Sequence, residues 1–126
     1  MDLGGWQLQF ANGADGPVWQ TRWSGQAGQA LAPRARFLIV DSGWTAPPPG
    51  DAEVVLGLQN GPDAIRLTHA GVAVDVVGYG ALTDPRLMET APAPLAAGRA
   101  IARRPDGRDT GDNAADFVTT VPTPGQ

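Results

Sequence analysis

Aspartates are concentrated in one stretch of the chain, and this is where the sequence could bind a metal ion. The stretch contains Asp106, Asp109, Asp112 and Asp116. Hard cations such as Ca²⁺ take about six to eight oxygen ligands from a flexible loop. The spacing does not match an EF-hand, because the alternating ligands and the closing glutamate are missing. We therefore expect Asp109, Thr110, Asp112 and Asn113 to bond to their own backbone and to a nearby arginine in a turn, with a Ca²⁺ site at the four aspartates as the alternative.

The four tryptophans raise the alternative of carbohydrate binding, since a flat aromatic face on a β-sheet can stack on a sugar ring. Trp6 belongs to an alternating segment and is expected in the core. Trp19 and Trp23 are four residues apart and are predicted to share one face of a strand. Trp44 lies beside a proline-rich loop and is expected to be exposed. A carbohydrate- or surface-binding site would therefore use Trp19, Trp23 and Trp44.

Few residues could support catalysis. His69 is the only histidine, and it lies beside a predicted hairpin turn. Ser24 and Ser42 do not stand in a Gly-x-Ser-x-Gly motif. The chain has no lysine for a Schiff base and no cysteine for a metal site or a disulfide. We therefore expect a protein that is not an enzyme and that uses no cofactor, apart from the alternative of Ca²⁺.

Length and composition predict one domain, residues 1–126, built of short strands. The chain has 17 glycines and 12 prolines, which is typical of strands joined by many turns. Its net charge of −4 argues against nucleic-acid binding, which needs clustered positive charge. No apolar segment approaches the ~20 residues of a membrane span. The first residues lack the features of a signal peptide, so the sequence read literally predicts a soluble cytoplasmic protein.

Apolar segments predict about seven or eight short strands at the spacing of a β-sandwich. They cover residues 6–10, 18–23, 36–40, 54–58, 64–68, 72–77, 99–103 and 117–121. The continuous run at 36–40 is predicted to be a central strand buried on both sides. The segments at 64–68 and 72–77 are predicted to form a hairpin, with Gly71 supplying the positive φ of its turn. Between residues 80 and 98 the periodicity fails, so we expect one long loop with a short helical turn capped by Thr83 or Asp84.

Several short segments, in order along the chain, resemble the lamin-tail domain family. They include Asp-Leu-Gly-Gly-Trp-Gln-Leu at residues 2–8, Leu-Ala-Pro at 31–33, Leu-Gln-Asn-Gly at 58–61, Gly-Val-Ala-Val-Asp at 71–75 and Gly-Tyr-Gly at 78–80. The most specific segment is Asp-Thr-Gly-Asp-Asn-Ala-Ala-Asp-Phe at 109–117, which is followed by Pro-Thr-Pro-Gly at 122–125. The resemblance implies an immunoglobulin-like β-sandwich of the bacterial type.

The resemblance also implies a non-catalytic accessory module that binds a protein partner or a neighbouring domain, or that acts as a spacer. Family members usually begin with two further strands before the Leu-x-Gly-Trp segment, whereas this chain starts on that segment. We therefore expect an incomplete sheet edge along residues 6–10, through which the chain could form a homo-oligomer. If a missing upstream segment carries a signal peptide, the expected location is extracytoplasmic rather than cytoplasmic.

Overall fold

The chain folds into eight short strands, although the segment predicted at residues 54–58 contributes only Val54 to one of them. The computed structural model describes residues 1–126. The strands are β1 (Trp6–Asn12), β2 (Gln20–Ser24), β3 (Ile39–Asp41), β4 (Ala52–Val54), β5 (Asp63–His69), β6 (Val72–Tyr79), β7 (Ala100–Arg103) and β8 (Phe117–Thr120). A 3-10 turn covers Pro85–Leu87, and a single-turn helix, α1, covers Asn113–Asp116. Strands make up 35% of the chain and helix 6%, which confirms the all-β class. Neither helical segment has the length and apolar character needed to cross a membrane.

The largest sheet contains four antiparallel strands in the order β2-β1-β5-β6. β1 pairs with β2 on one side, where Leu8 lies opposite Trp23. It pairs with β5 on the other side, where Trp6 lies opposite His69. The expectation that residues 6–10 form an incomplete edge is therefore wrong, because β5 arrives from the middle of the chain and occupies that edge. The outer strands of this sheet are β2 and β6, and Ala93 forms a single β-bridge with Tyr79 at the outer edge of β6.

The predicted hairpin is confirmed as β5 and β6. Its two turn residues are Ala70, with φ of 49°, and Gly71, with φ of 81°. Positive φ at both central residues is the geometry of a type I′ turn, whose twist matches that of the flanking strands. Glycine adopts this conformation freely, whereas the Cβ atom of Ala70 makes it unfavourable.

The apolar run at residues 36–40 does not form a central strand, so that prediction is wrong. Only β3 is regular there, and it pairs in parallel with β4 alone. Val40 is buried and the following Asp41 is exposed. Phe37 packs against Trp23 of the largest sheet, with 5.2 Å between ring centroids. The run is apolar because it covers a neighbouring sheet, not because neighbours enclose it on both sides.

One face of the largest sheet is covered by the long loop that follows β6. Leu82 and Leu87 of this loop pack onto Ala11 and Ala64, and all four side chains are buried. Leu87 lies in the 3-10 turn, whose cap is Asp84, one of the two predicted capping residues. The loop therefore contributes to the core although its only sheet-like pairing is a single parallel β-bridge between Ala93 and Tyr79.

The opposite face of the same sheet is covered by the antiparallel pair β7–β8. Ile101 and Phe117 of this pair pack against Val77 and Tyr79 of β6. Since successive side chains of a strand point to opposite sides, the alternate residues of β7 and β8 face outward. The fold is thus one four-stranded sheet with two two-stranded pairs beside it.

Each edge strand of the largest sheet carries a β-bulge. In β2 the register shifts after the pairing of Leu8, and Arg22 is the extra residue. In β6 the extra residue is Val74. A bulge bends and twists an edge strand, which makes the edge a poorer template for a strand of another chain.

Candidate functional site

The aspartate-rich stretch is held together around the carboxylate of Asp116. This side chain is fully buried. It accepts hydrogen bonds from the backbone N–H of Thr110 at 2.7 Å and from the Thr110 hydroxyl at 2.8 Å. Nε of Arg108 lies 3.2 Å from it. The Thr110 N–H bond is the main reason that the pKa of Asp116 is lowered from its usual value.

Asn113, three residues earlier, pairs with the edge of β6 through its side chain. Its Oδ1 accepts from the backbone N–H of Gly78 at 2.9 Å and from that of Glu89 at 3.1 Å. Its Nδ2 donates to the carbonyl of Val76 at 2.9 Å and to Oε2 of Glu89 at 3.1 Å. A primary amide offers two donors and can accept two bonds, so every position is used. Burial, followed by the nearby charge of Asp75, raises the pKa of Glu89.

The other three aspartates of the stretch have separate partners. Asp106 forms an exposed ion pair with Arg36. Asp109 accepts from the N–H of Gly111 and lies 3.4 Å from Nη1 of Arg103. Asp112 caps α1 by accepting from the N–H of Ala114. These are the backbone and arginine bonds expected of a turn, and no group of three or more His, Cys, Asp or Glu side chains is placed to hold a metal ion.

The structure does not bring Trp19, Trp23 and Trp44 together. Trp23 is buried and lies opposite Leu8, whereas Trp19 packs on the cluster that contains Ala11. Since Leu8 and Ala11 point to opposite faces of β1, Trp19 and Trp23 do so as well. Their predicted common face is wrong because the bulge at Arg22 inserts one residue between them.

The rings of Trp19 and Trp6 are partly covered by neighbouring side chains. The guanidinium of Arg66 lies over the Trp19 ring, 4.3 Å from its centroid. Trp6 is half-buried and packs against His69, with 4.8 Å between ring centroids. Trp44 differs, because 39% of its surface is exposed. Of the predicted binding tryptophans, it is the one that is open to a ligand.

The indole of Trp44 is held in place by the proline loop. Its Nε1 donates to the carbonyl of Pro48 at 3.1 Å. Because the polar atom of the ring is satisfied within the chain, the exposed part of the ring is apolar. Proline fixes φ, so the segment at residues 47–49 has little conformational freedom to lose on binding. Trp44 is thus a preorganised aromatic surface.

A cavity of about 340 Å³ lies between Trp44 and the β7–β8 pair. Its floor is formed by the outward-facing residues Ala100, Ala102 and Thr120. Its far wall is the segment at residues 122–126. We call the surface formed by Trp44, this floor and this wall the Trp44 groove. The residues of the floor are small, so the groove is open between its walls.

Two further cavities extend the Trp44 groove. One, of about 370 Å³, lies on the other side of Trp44 and is bordered by the proline loop and Glu53. The second, of about 320 Å³, shares Ala102 with the groove and is lined by three arginines and one aspartate, Arg36, Arg103, Arg104 and Asp106. Arg104 takes part in no ion pair. The extended surface therefore has an acidic end at Glu53 and, at the other end, an excess of arginines over the single Asp106, with the indole between them.

The sequence identifies only one member of the Trp44 groove. Trp44 is conspicuous as a large aromatic residue beside prolines, but Ala100, Ala102 and Thr120 carry no chemical signal and come from distant strands. In the sequence, Arg104 belongs to a group of arginines whose positive charge is balanced by the aspartates that follow closely. No protein-family model, curated protein or solved structure matches the chain, so no relative points to these residues either.

Proposed function

We propose that the chain is a non-catalytic protein-interaction module of the lamin-tail type, with an immunoglobulin-like sandwich fold. The ordered segments between residues 2 and 125 support this proposal. The arrangement of the strands is compatible with it, because a four-stranded antiparallel sheet is covered on one face by a β-pair. In this proposal the Asp109–Phe117 motif has a structural role, and binding uses other surfaces.

The observation that carries the proposal is the large accessible surface of the chain. The accessible surface is 7404 Å². A monomer of this mass is expected to expose about 6,300 Å². Only 17 of 126 residues are buried. A surface larger than expected that includes exposed apolar side chains supports binding to a partner or to a neighbouring domain, because exposed apolar surface marks interaction sites.

Several large apolar side chains contribute to this surface. Val55 and Val72 are each 68% exposed, and Val118 on the outer side of β8 is 42% exposed. They lie on different parts of the molecule, so they can report which region is covered in a complex. A protein partner would reduce the exposure of at least one of them.

Site-specific photo-crosslinking tests the proposed function. A photoreactive amino acid would replace Val55, Val72 or Val118, with replacement of the exposed Asp15 as the matched control. In the native host we expect a discrete protein adduct from at least one apolar position, and we expect excess unmodified chain to suppress it. If none of the three positions gives an adduct beyond that of Asp15, the chain does not function by protein binding.

Carbohydrate binding is a second candidate, and the exposure of Trp44 is what favours it. An indole open on one side can stack on a sugar ring. An array of oligosaccharides would separate the candidates, because retention of a glycan by the wild-type chain and its loss in Trp44→Ala would favour this reading. Trp19 and Trp23 are not expected to contribute, since both are covered.

A further inference from the structure

We propose that the Trp44 groove binds an extended, proline-containing peptide with an acidic residue at one end. This inference rests on the proposed protein-interaction function and names the surface and the class of partner. Three features carry it: the shape of the groove, the chemistry of its walls and the charge at its basic end.

The shape of the Trp44 groove fits an extended chain. Its cavity continues past Trp44 at one end and past Ala102 at the other, where the neighbouring cavities share these residues. The floor of alanines and a threonine leaves space along the groove for the side chains of a peptide. A polyproline II segment has the elongated form that such a groove accepts, and it loses little conformational entropy on binding.

The chemistry of the walls favours a peptide over a sugar. Trp44, Pro122 and Pro124 present ring carbons, and the floor presents methyl groups of Ala100 and Ala102. A sugar ring carries many hydroxyl groups, each of which needs a hydrogen-bond partner when it leaves water. The polar side chains that could supply such partners are Thr120 on the floor and Thr123 and Gln126 on the far wall. A proline ring needs none and gains from contact with the flat face of an indole.

The charge at one end orients the peptide. Arg104 is exposed and takes part in no ion pair, and its neighbour Arg36 is partly neutralised by Asp106 in an exposed pair. An acidic residue of the peptide would therefore lie at this end. Glu53 borders the cavity at the opposite end and would repel a second acidic group. The preference for acid at one end only distinguishes this site from a non-specific apolar patch.

A panel of synthetic peptides tests the proposal with the full chain. The panel contains proline-rich peptides that end in two glutamates, in two lysines or in two glutamines, together with neutral oligosaccharides as alternative ligands. We expect the acidic peptide to bind most tightly by calorimetry, and we expect its affinity to fall as salt is added. Absence of binding by every peptide, or equal binding of the acidic and basic peptides, would overturn the proposal, as would binding of the oligosaccharides alone.

Variants locate the site. Trp44→Ala is expected to weaken binding of the acidic peptide at least about tenfold, as for a central aromatic anchor. Arg104→Ala is expected to weaken the acidic peptide by about threefold and to leave the glutamine peptide unchanged. Arg34→Ala is the matched control, because Arg34 is also an exposed arginine outside any ion pair, and it should bind as the wild type does.

Two outcomes separate this proposal from the broader function. Unchanged affinity in Trp44→Ala, with an unaltered melting temperature, would show that peptides bind elsewhere and would overturn the groove. Trp44→Phe guards against local unfolding, since it keeps an aromatic ring and should retain part of the affinity. Protein adducts from Val55 or Val72 without peptide binding would leave the protein-interaction function in place and still exclude this site.

Discussion

At the scale of single residues, the side chain of Asn113 makes the hydrogen bonds that the backbone of a neighbouring strand would make with β6. An edge strand normally satisfies its outward N–H and C=O groups through another strand or through water. Here one carboxamide accepts from Gly78 and donates to Val76, which are two residues apart on β6, as a paired strand would. The same group bonds to Glu89, so it joins the edge of the sheet, the long loop and α1.

Replacing Asn113 by alanine should therefore strongly destabilise the folded chain. The change leaves buried backbone groups of β6 and of the long loop without partners, and each orphaned group costs about 1–3 kcal/mol. We expect Asn113→Ala to lower the free energy of unfolding by about 3 kcal/mol or more in urea denaturation. Asn60→Ala is the matched control, because Asn60 is exposed, and its effect should stay within about 0.5 kcal/mol. Similar losses at the two positions would contradict this role.

Asp116 makes the stability depend on pH in the acid range. Its pKa is lower in the folded chain than in the unfolded chain, mainly because of the Thr110 N–H bond. Its bonds therefore contribute stability above pH of about 4, and this contribution is lost as the pH falls through the folded-state pKa. Asp116→Asn should be less stable near neutral pH and should lose less stability on acidification than the wild type.

Urea denaturation near pH 7 and near pH 3 would measure this difference. Some acid sensitivity should remain in Asp116→Asn, because the side-chain bond to Arg86 lowers the pKa of Asp84 to about 2. Asp15→Asn is the control, since Asp15 is an exposed loop residue, and its acid slope should match that of the wild type. If the free energy of unfolding of Asp116→Asn falls between pH 7 and pH 3 as much as that of the wild type, the Asp116 carboxylate does not cause the acid sensitivity.

At the scale of secondary-structure elements, the β5–β6 turn contains a residue whose replacement should stabilise the fold. Ala70 has a positive φ, which asparagine tolerates better and which Asn-Gly turns adopt most readily. Ala70→Asn should raise the free energy of unfolding by about 1 kcal/mol, whereas Gly71→Ala should lower it by about 1 kcal/mol or more. Thermal melts of the two variants would measure both changes, and destabilisation by Ala70→Asn would argue against this turn geometry.

The Asp106–Asp116 segment gives a second prediction for an element. Its four aspartates are each engaged by backbone groups or arginines, so binding of Ca²⁺ would have to displace those partners. We expect the melting temperature to be the same in excess Ca²⁺ and in excess chelator. A Ca²⁺ site saturated at about 100 times its dissociation constant would add about 2.7 kcal/mol. A shift of several degrees would therefore show that the segment binds the ion.

Sequence patterns predict the elements that are determined by residues close together in the chain. The β5–β6 hairpin depends on alternation and a glycine turn, and the 3-10 turn depends on Asp84 before a proline, so both were predictable. The bulge at Arg22 could not be predicted, because a bulge depends on the partner strand. This bulge places Trp19 and Trp23 on different faces of the sheet. The run at residues 36–40 failed for a related reason, since apolar content does not say which surface a strand covers.

At the scale of the whole molecule, the edges of the largest sheet predict the oligomeric state. Both edge strands are bulged, at Arg22 and at Val74, and Asn113 occupies part of the outer edge of β6. These features oppose strand addition between copies. We expect light scattering to give a mass of 13.0 kDa that does not change with concentration. A mass that rises with concentration would show that an edge or an apolar surface pairs with a second copy.

The position of Asn113 in the chain has a consequence for synthesis on the ribosome. It lies 35 residues after Gly78, whose edge it occupies. At about 5–20 residues per second, about 2–7 seconds pass between the synthesis of the two. Because the two residues leave the ribosome with the same spacing in the chain, a nascent hairpin of β5 and β6 can form while part of its outer edge is open. Conditions that lengthen the interval between the emergence of β6 and that of Asn113 should therefore increase capture of the nascent chain by chaperones, and conditions that shorten it should decrease capture.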